Sequence, residues 1–423
     1  MEKQSDTNGK GNKEREMKVV HLVTDDIGGA GRAARRIHAA LRQQGVDSKV
    51  IVLEKYDQND CQRVLNNKIA RTIFKIIRKG YQKKSASQYE LVRFSELGYG
   101  LPLDKVKEIQ EADIVHLHWI NYSFISNHAL ERLFKNKKIV WTLHDMWPFT
   151  AGCYYDSECG QYKKGCHACQ LIKQDNGVSE NAWKKKKSLY EKANDLTFVG
   201  CSKWITDCAS RSMLTKRFSC INIPNPIDTS VFYEEDREKT RKKLGAKEGE
   251  KIIVFGAMTA DSDERKGYRY LLEALNELSK LEQNYRAVVF GNKGELHFGG
   301  LNIPVTGLGM IHDDNKLRKI YSAADVFVAP SIQENLSNAV MESLSCSTPV
   351  AAFNIGGMSD MIDHKETGYL AKPFDAADLA AGIAYSAAHP QMRQNARRKV
   401  EESFGMSVVG KQYKALYQKK NNR

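Results

Sequence analysis

No stretch of this chain is apolar for the length of a membrane span. Its strongest apolar runs, such as Ile252–Phe255, have the length of strands. The first sixteen residues are polar and charged and lack the apolar centre of a signal peptide, so they read as a disordered leader and the protein as cytoplasmic. Nine cysteines in such a chain argue against a disulfide framework. No repeat of solenoid period is visible, and no carboxylate cluster of the kind that holds a divalent metal stands out. The basic runs lack interleaved aromatics, which leaves nothing for bases to stack on.

What is present is ordinary globular composition, 41% hydrophobic and 27% charged, in 423 residues. That length exceeds what one hydrophobic core serves, so two domains are expected. The net charge of +14 is lopsided: residues 1–225 hold 38 Lys and Arg against 25 Asp and Glu. A one-sided basic field draws an anionic partner, such as lipid, nucleic acid or a phosphorylated substrate.

Apolar runs of strand length alternate with segments of helical period. Val19–Val23, Ile51–Leu53, Ile114–Leu117, Ile139–Leu143 and Thr197–Val199 form a first series. Ile252–Phe255, Val288–Phe290, Val326–Val328 and Pro349–Phe353 form a second. Such runs suit parallel strands covered on both faces, so the fold class is α/β, with two doubly wound Rossmann-like domains facing each other across a cleft. Pro224 and Pro226 break the chain between the two series. The expected organisation is a leader over 1–16 and an N-terminal domain over 17–225, with a cysteine-rich loop at 151–170. A C-terminal domain over 226–405 follows, and a helix in 406–423 crosses back.

Three segments carry chemistry. Gly28-Gly29-Ala30-Gly31 opens the first helix, where free N–H groups meet a phosphate or sugar. After the strand ending at Pro330, Ser337 is a good N-cap, and the N–H groups of Asn338 and Ala339 face the crevice where pyrophosphate docks. Glu342, a turn inside that helix, is placed for ribose hydroxyls, and Glu334 in the preceding loop for the sugar. Arg265 and Lys266 are cations placed to neutralise a diphosphate leaving group.

These residues carry a resemblance. With Thr142-Leu143-His144-Asp145, Asn225-Pro226-Ile227-Asp228, Gly356-Gly357, Asp363 and Thr367-Gly368-Tyr369-Leu370, they resemble the family-4 retaining glycosyltransferases of the GT-B fold across both domains. The resemblance implies a nucleotide-sugar donor, UDP- or GDP-linked, and a saccharide acceptor, polyprenyl-linked in capsule, exopolysaccharide or O-antigen assembly. It implies Glu334, His144 and Lys266 as catalytic residues and Gly28, Gly29, Arg265, Ser337, Asn338, Ala339 and Glu342 around the donor. His116 and His118 fall on the acceptor side. The family's arginine after the glycine ending the second domain's first strand is replaced by Ala257. Catalysis is expected to need positioning and no metal.

Cys153, Cys159, Cys166 and Cys169 fall within seventeen residues, a spacing that suits structural zinc. Such a cysteine loop is similar to that of a sub-group of polysaccharide-building transferases. Residues 69–84 mix Ile69, Ile73, Phe74, Ile76 and Ile77 with Arg71, Lys75, Arg78, Lys79, Lys83 and Lys84. That pattern serves either an anionic inner-membrane surface or an ordinary domain helix. Lys184–Lys187 reads as a solvated helix face. The competing functions are a zinc-bearing nucleic-acid-binding protein, a sugar-nucleotide epimerase and a catalytically silent binder. The paired glutamates favour transfer over epimerisation, and the basic runs speak against nucleic acid.

Overall fold

The computed structural model describes residues 16–57, 59–86, 90, 93–256, 263–281, 284–291 and 301–419. Most of the leader and the Ala257 position lie outside the described residues. The first sheet has seven strands: β1 (Lys18–Asp25), β2 (Asp47–Glu54), β3 (Gln62–Arg63), β4 (Ile114–Leu117), β5 (Lys138–Leu143), β6 (Asp195–Gly200) and β7 (Ser219–Asn222), in the order β3-β2-β1-β4-β5-β6-β7. The second has six: β8 (Lys251–Gly256), β9 (Tyr285–Phe290), β10 (Val305–Gly307), β11 (Val326–Ala329), β12 (Val350–Phe353) and β13 (Gly368–Ala371), in the order β10-β9-β8-β11-β12-β13.

Every pairing is parallel, and the order reverses beside β1 and again beside β8. In open sheets of this kind the ligand crevice lies at such a reversal, beyond the carboxyl ends of the strands. The apolar runs read from the sequence fall in strands, except that Pro349 precedes the strand Val350–Phe353. The edge strands β3, β7, β10 and β13 escaped the reading because they are short and only partly covered, so selection for apolar residues on both faces is relaxed there.

Helix Gly29–Gln43 buries Ala33, Ala34, Ile37, Ala40 and Leu41 and stops at Gly45 in the left-handed conformation. The proline-containing segment 223–228 forms no helix, and Ile227 N donates to Phe404 O at 2.8 Å where the chain returns to the first domain. Helix Met406–Gln418 then sinks Val409, Tyr413, Leu416 and Tyr417 among Val19, Ile37, Ile114, Val140 and Val199. The last helix of the chain is thus part of the first domain's core, and the two domains are joined twice.

Candidate active site

Both domains aim the ends of their central strands at the cleft. In the second domain, β11 ends at Ala329 and helix Asn338–Ser345 begins after Ser337, whose Oγ accepts from Val340 N at 3.4 Å. The loop between them is held from behind by Gly356 and Gly357. A Cβ on Gly356, which has φ +50°, would stand 2.0 Å from the Glu334 carbonyl oxygen. One on Gly357 would stand 1.9 Å from that of Asn335. Only glycine permits this approach, and it sets the backbone that presents Glu334.

Glu334 is mostly buried and pairs with Lys266, Nζ to Oε2 2.9 Å, while its Oε1 accepts from Asn335 N at 3.2 Å. Lys266 is delivered by a short turn, Glu264–Lys266, fastened to the same loop through Ile332 N donating to Arg265 O at 2.8 Å. Arg265, expected near a diphosphate, is paired here with Asp263. Its guanidinium grips Asp263 with two bonds of 2.9 Å and lies 5.5 Å from the Tyr155 ring centroid. Among the described residues at the site, Lys266 is the cation beside Glu334.

Glu342 is 3% exposed, and its cationic partners come from the other domain. Arg36 Nη2 donates to Oε1 at 2.7 Å, Arg32 Nη1 is 3.8 Å away, and Tyr321 Oη lies 3.4 Å from Oε2. Arg36 also donates to Asn338 Oδ1 at 3.3 Å, and Asn338 Nδ2 reaches Gly29 O at 3.4 Å. The glycine turn with Gly28 and Gly29 therefore sits directly opposite Ser337, Asn338 and Ala339. The sequence reading missed Arg32 and Arg36. Their i, i+4 spacing on one face of the first helix was the available signal.

Asn335 was also missed, and it bolts the halves together. Its Nδ2 donates to Leu143 O and His144 O, each at 3.1 Å, while Oδ1 accepts from Ser202 Oγ at 2.6 Å. One residue from Glu334, it draws the His144 backbone to the Glu334 loop, so His144 and Glu334 share one neighbourhood. An asparagine in a polar loop carries no sequence signal for such a role.

His144 is half-buried, with a pKa pulled down to about 3 by desolvation, so it is neutral at physiological pH. Desolvation pushes neighbouring Asp145 up to about 6, although Trp147 N and Trp119 Nε1 donate to its carboxylate at 2.9 Å each. His116 and His118 do not line the acceptor side as expected. They are 0% and 2% exposed. Side chains two apart on a strand share one face, and this face lies under helices. His116 bonds Tyr417 Oη and Thr142 Oγ1 at 2.7 Å each, and His118 Nδ1 lies 3.0 Å from His144 Nε2.

Cys153, Cys159, Cys166 and Cys169 line one cavity, with Cys159 exposed and Cys153 and Cys166 buried. Among the described residues, one group of three or more His, Cys, Asp or Glu ligand atoms lies within 4.8 Å of one another, and it is His21, His116 and His118. No three of the described cysteine sulfurs lie within 4.8 Å of one another.

The lysine run is not a solvated face throughout. In helix Val178–Glu191, Lys186 is 0% exposed, donates to the carbonyls of Trp147 and Thr150, and has its Nζ 3.7 Å from the Trp147 ring centroid. Burial draws its pKa down to about 7. It braces the segment that follows His144 and Asp145.

Helix Lys68–Ala86 buries Phe74 but leaves Ile69, Ile73, Ile76 and Ile77 exposed. Among the described residues no helix is long and apolar enough to cross a membrane.

Two parallel-sheet α/β domains whose strand ends face each other across a cleft are the GT-B architecture, and comparison with known proteins agrees. Residues 27–230 match the model of glycosyltransferase family 4, and residues 236–403 match that of glycosyl transferases group 1. An uncharacterized glycosyltransferase from Methanocaldococcus jannaschii is 24% identical over 356 residues, which cover 76% of this chain and 87% of that one. Sucrose-phosphate synthase from Thermosynechococcus elongatus superposes with a TM-score of 0.63 at 20% identity, over 95% of this chain and 98% of that one. HepE from Anabaena, solved with UDP, gives 0.62 at 16% identity, over 95% and 99%. The chain is a GT-B glycosyltransferase, with a family 4 N-terminal half and a group 1 C-terminal half.

Proposed function

We propose that this enzyme transfers a sugar with retention of anomeric configuration, from a UDP- or GDP-linked donor to a saccharide acceptor carried on a polyprenyl lipid. The reading rests above all on the Glu334–Lys266 pair, with Glu334 one residue from Asn335, which bonds the His144 carbonyl, and the helix start at Asn338 nearby. That HepE has been solved with UDP and with UDP-glucose supports a nucleotide-sugar donor of this kind.

In the proposed reaction the bond from the anomeric carbon to the diphosphate oxygen breaks, and negative charge grows on the diphosphate. Lys266 and the N–H groups of Asn338 and Ala339 stabilise that charge. The acceptor hydroxyl attacks from the same face, and its proton passes to the departing phosphate oxygen. Glu334 and His144 hold the sugar, and Glu342 exchanges Arg36 for the ribose hydroxyls. Positioning and electrostatics carry this step, with no metal assigned to it.

The lipid-linked acceptor is inferred from helix Lys68–Ala86. Its exposed isoleucines alternate with Arg71, Lys75 and Lys79, a combination suited to lying on an anionic membrane. On this reading the enzyme works at the membrane face during assembly of capsule, exopolysaccharide or O-antigen.

The test is calorimetry with UDP, GDP and ADP, followed by turnover with the sugar conjugates of whichever binds. One nucleotide should bind, Glu342→Ala should weaken it about 10-fold or more, and Glu334→Ala and His144→Ala should lower kcat. Failure of all three nucleotides to bind folded protein would sink the proposal.

A further inference from the structure

Strand pairing sets His21 of β1 opposite His116 of β4, and His118 follows on the same face. From His21 a chain of imidazoles runs toward the cleft. His21 Nδ1 lies 3.0 Å from His118 Nε2, and His118 Nδ1 lies 3.0 Å from His144 Nε2. The rings keep nearly parallel planes, 25° and 24° apart at the two links. Burial holds all three pKa values low, so each ring is neutral and carries a single N–H.

Two proton arrangements satisfy both links. In one, His144 Nε2–H donates inward to His118, His118 Nε2–H donates to His21, and the remaining N–H sits on His21 Nε2. That atom is buried and has no partner. The large majority of buried side-chain polar atoms in native structures have a partner, so a buried N–H without one is disfavoured. In the other, His21 Nδ1–H donates to His118, and His118 Nδ1–H donates to His144 Nε2. The last N–H then falls on His144 Nδ1, for which no protein partner is found among the described residues.

We infer that His21 and His118 are positioning residues that fix His144 as its Nδ1–H tautomer, presenting a neutral hydrogen-bond donor to the cleft. The inference uses the glycosyltransferase reading only for its consequence, a donor aimed at a sugar or phosphate oxygen. A metal fits the three-histidine cluster less well. Of the six ring nitrogens of His21, His116 and His118, five already bond within the protein, and only His21 Nε2 is free.

The test is a two-bond proton–nitrogen correlation on ligand-free protein labelled with 15N-histidine, with His144 assigned by its loss in His144→Gln. Wild-type His118 and His144 should both show the Nδ1–H pattern. In His21→Leu the anchor is gone, so the His144 signal should move toward a mixture. With it kcat should fall about 10-fold at near-constant donor KM, the scale seen when an orienting partner is lost. A purely structural role would leave the tautomer unmoved. An Nε2–H pattern at wild-type His144 would overturn the inference. So would a stoichiometric metal in the purified protein whose removal shifts His21 and His118. An Nδ1–H pattern in a protein that transfers no sugar would uphold the tautomer and refute the transferase reading, which keeps the two failures apart.

Discussion

Lys186 makes stability depend on pH in a way that can be worked out in advance. Its amino group is enclosed by Trp147, Thr150 and the helix that carries it, and desolvation takes its pKa from the ordinary 10.5 to about 7. Between these values the unfolded chain holds a proton at this site that the folded protein does not. Stability must therefore rise with pH across the window. The contribution is complete above the unfolded value and is lost as pH falls through about 7. One pKa unit corresponds to about 1.4 kcal/mol. From pH 7.5 to 9.5 the wild type should gain about 2 to 3 kcal/mol relative to Lys186→Met, which keeps the chain length but cannot titrate. The two carbonyls stranded by methionine lower the variant's stability by an amount that does not vary with pH, so they drop out of the comparison. Urea unfolding of both proteins at the two pH values gives the difference directly. Parallel stabilities, constant within about 0.5 kcal/mol, would refute the assignment of Lys186 as a buried, neutral amine.

Asn335→Leu removes the side-chain bonds to Leu143 O, His144 O and Ser202. It should destabilise the protein by about 2 to 4 kcal/mol, and unchanged urea midpoints would contradict the bolt. Gly357→Ala places a methyl 1.9 Å from a backbone oxygen and should lower both stability and turnover, because the loop must shift and carry Glu334 with it. Loss of stability with normal kcat would separate the glycine from the site. Ile73→Glu with Ile76→Glu changes residues that are 53% and 66% exposed. Folding stability should stay within about 0.5 kcal/mol while co-sedimentation with anionic vesicles is lost. Binding to vesicles equal to wild type would remove the membrane proposal.

Much of the site was legible along the chain because it is made of local signals. A strand end, an N-cap serine and a glutamate one turn inside a helix are set by neighbours in sequence, and so Glu334, Ser337, Asn338 and Glu342 were found where the second domain presents them. Lys266 and the glycine turn at Gly28 and Gly29 were found the same way. The partners of these residues were not legible. Arg36 meets Glu342 from 306 positions away, and Asn335 meets His144 from 191, and no local pattern encodes contacts across two domains. His116 and His118 were read by residue type as site residues, yet β4 and the residue just beyond it carry them under the helical layer. Lys186 was read by its run of lysines, yet one face of that helix points inward.

By itself the sequence determined two α/β domains and the local elements that carry Ser337, Asn338 and Glu342, because hydrophobic period and capping chemistry act over a few residues. Tertiary structure alone decided the rest. It chose which lysine is buried, which histidines form a chain and which arginines hold Glu342. Burial and hydrogen-bond partnership belong to the packed assembly, and a residue acquires them only when distant segments meet.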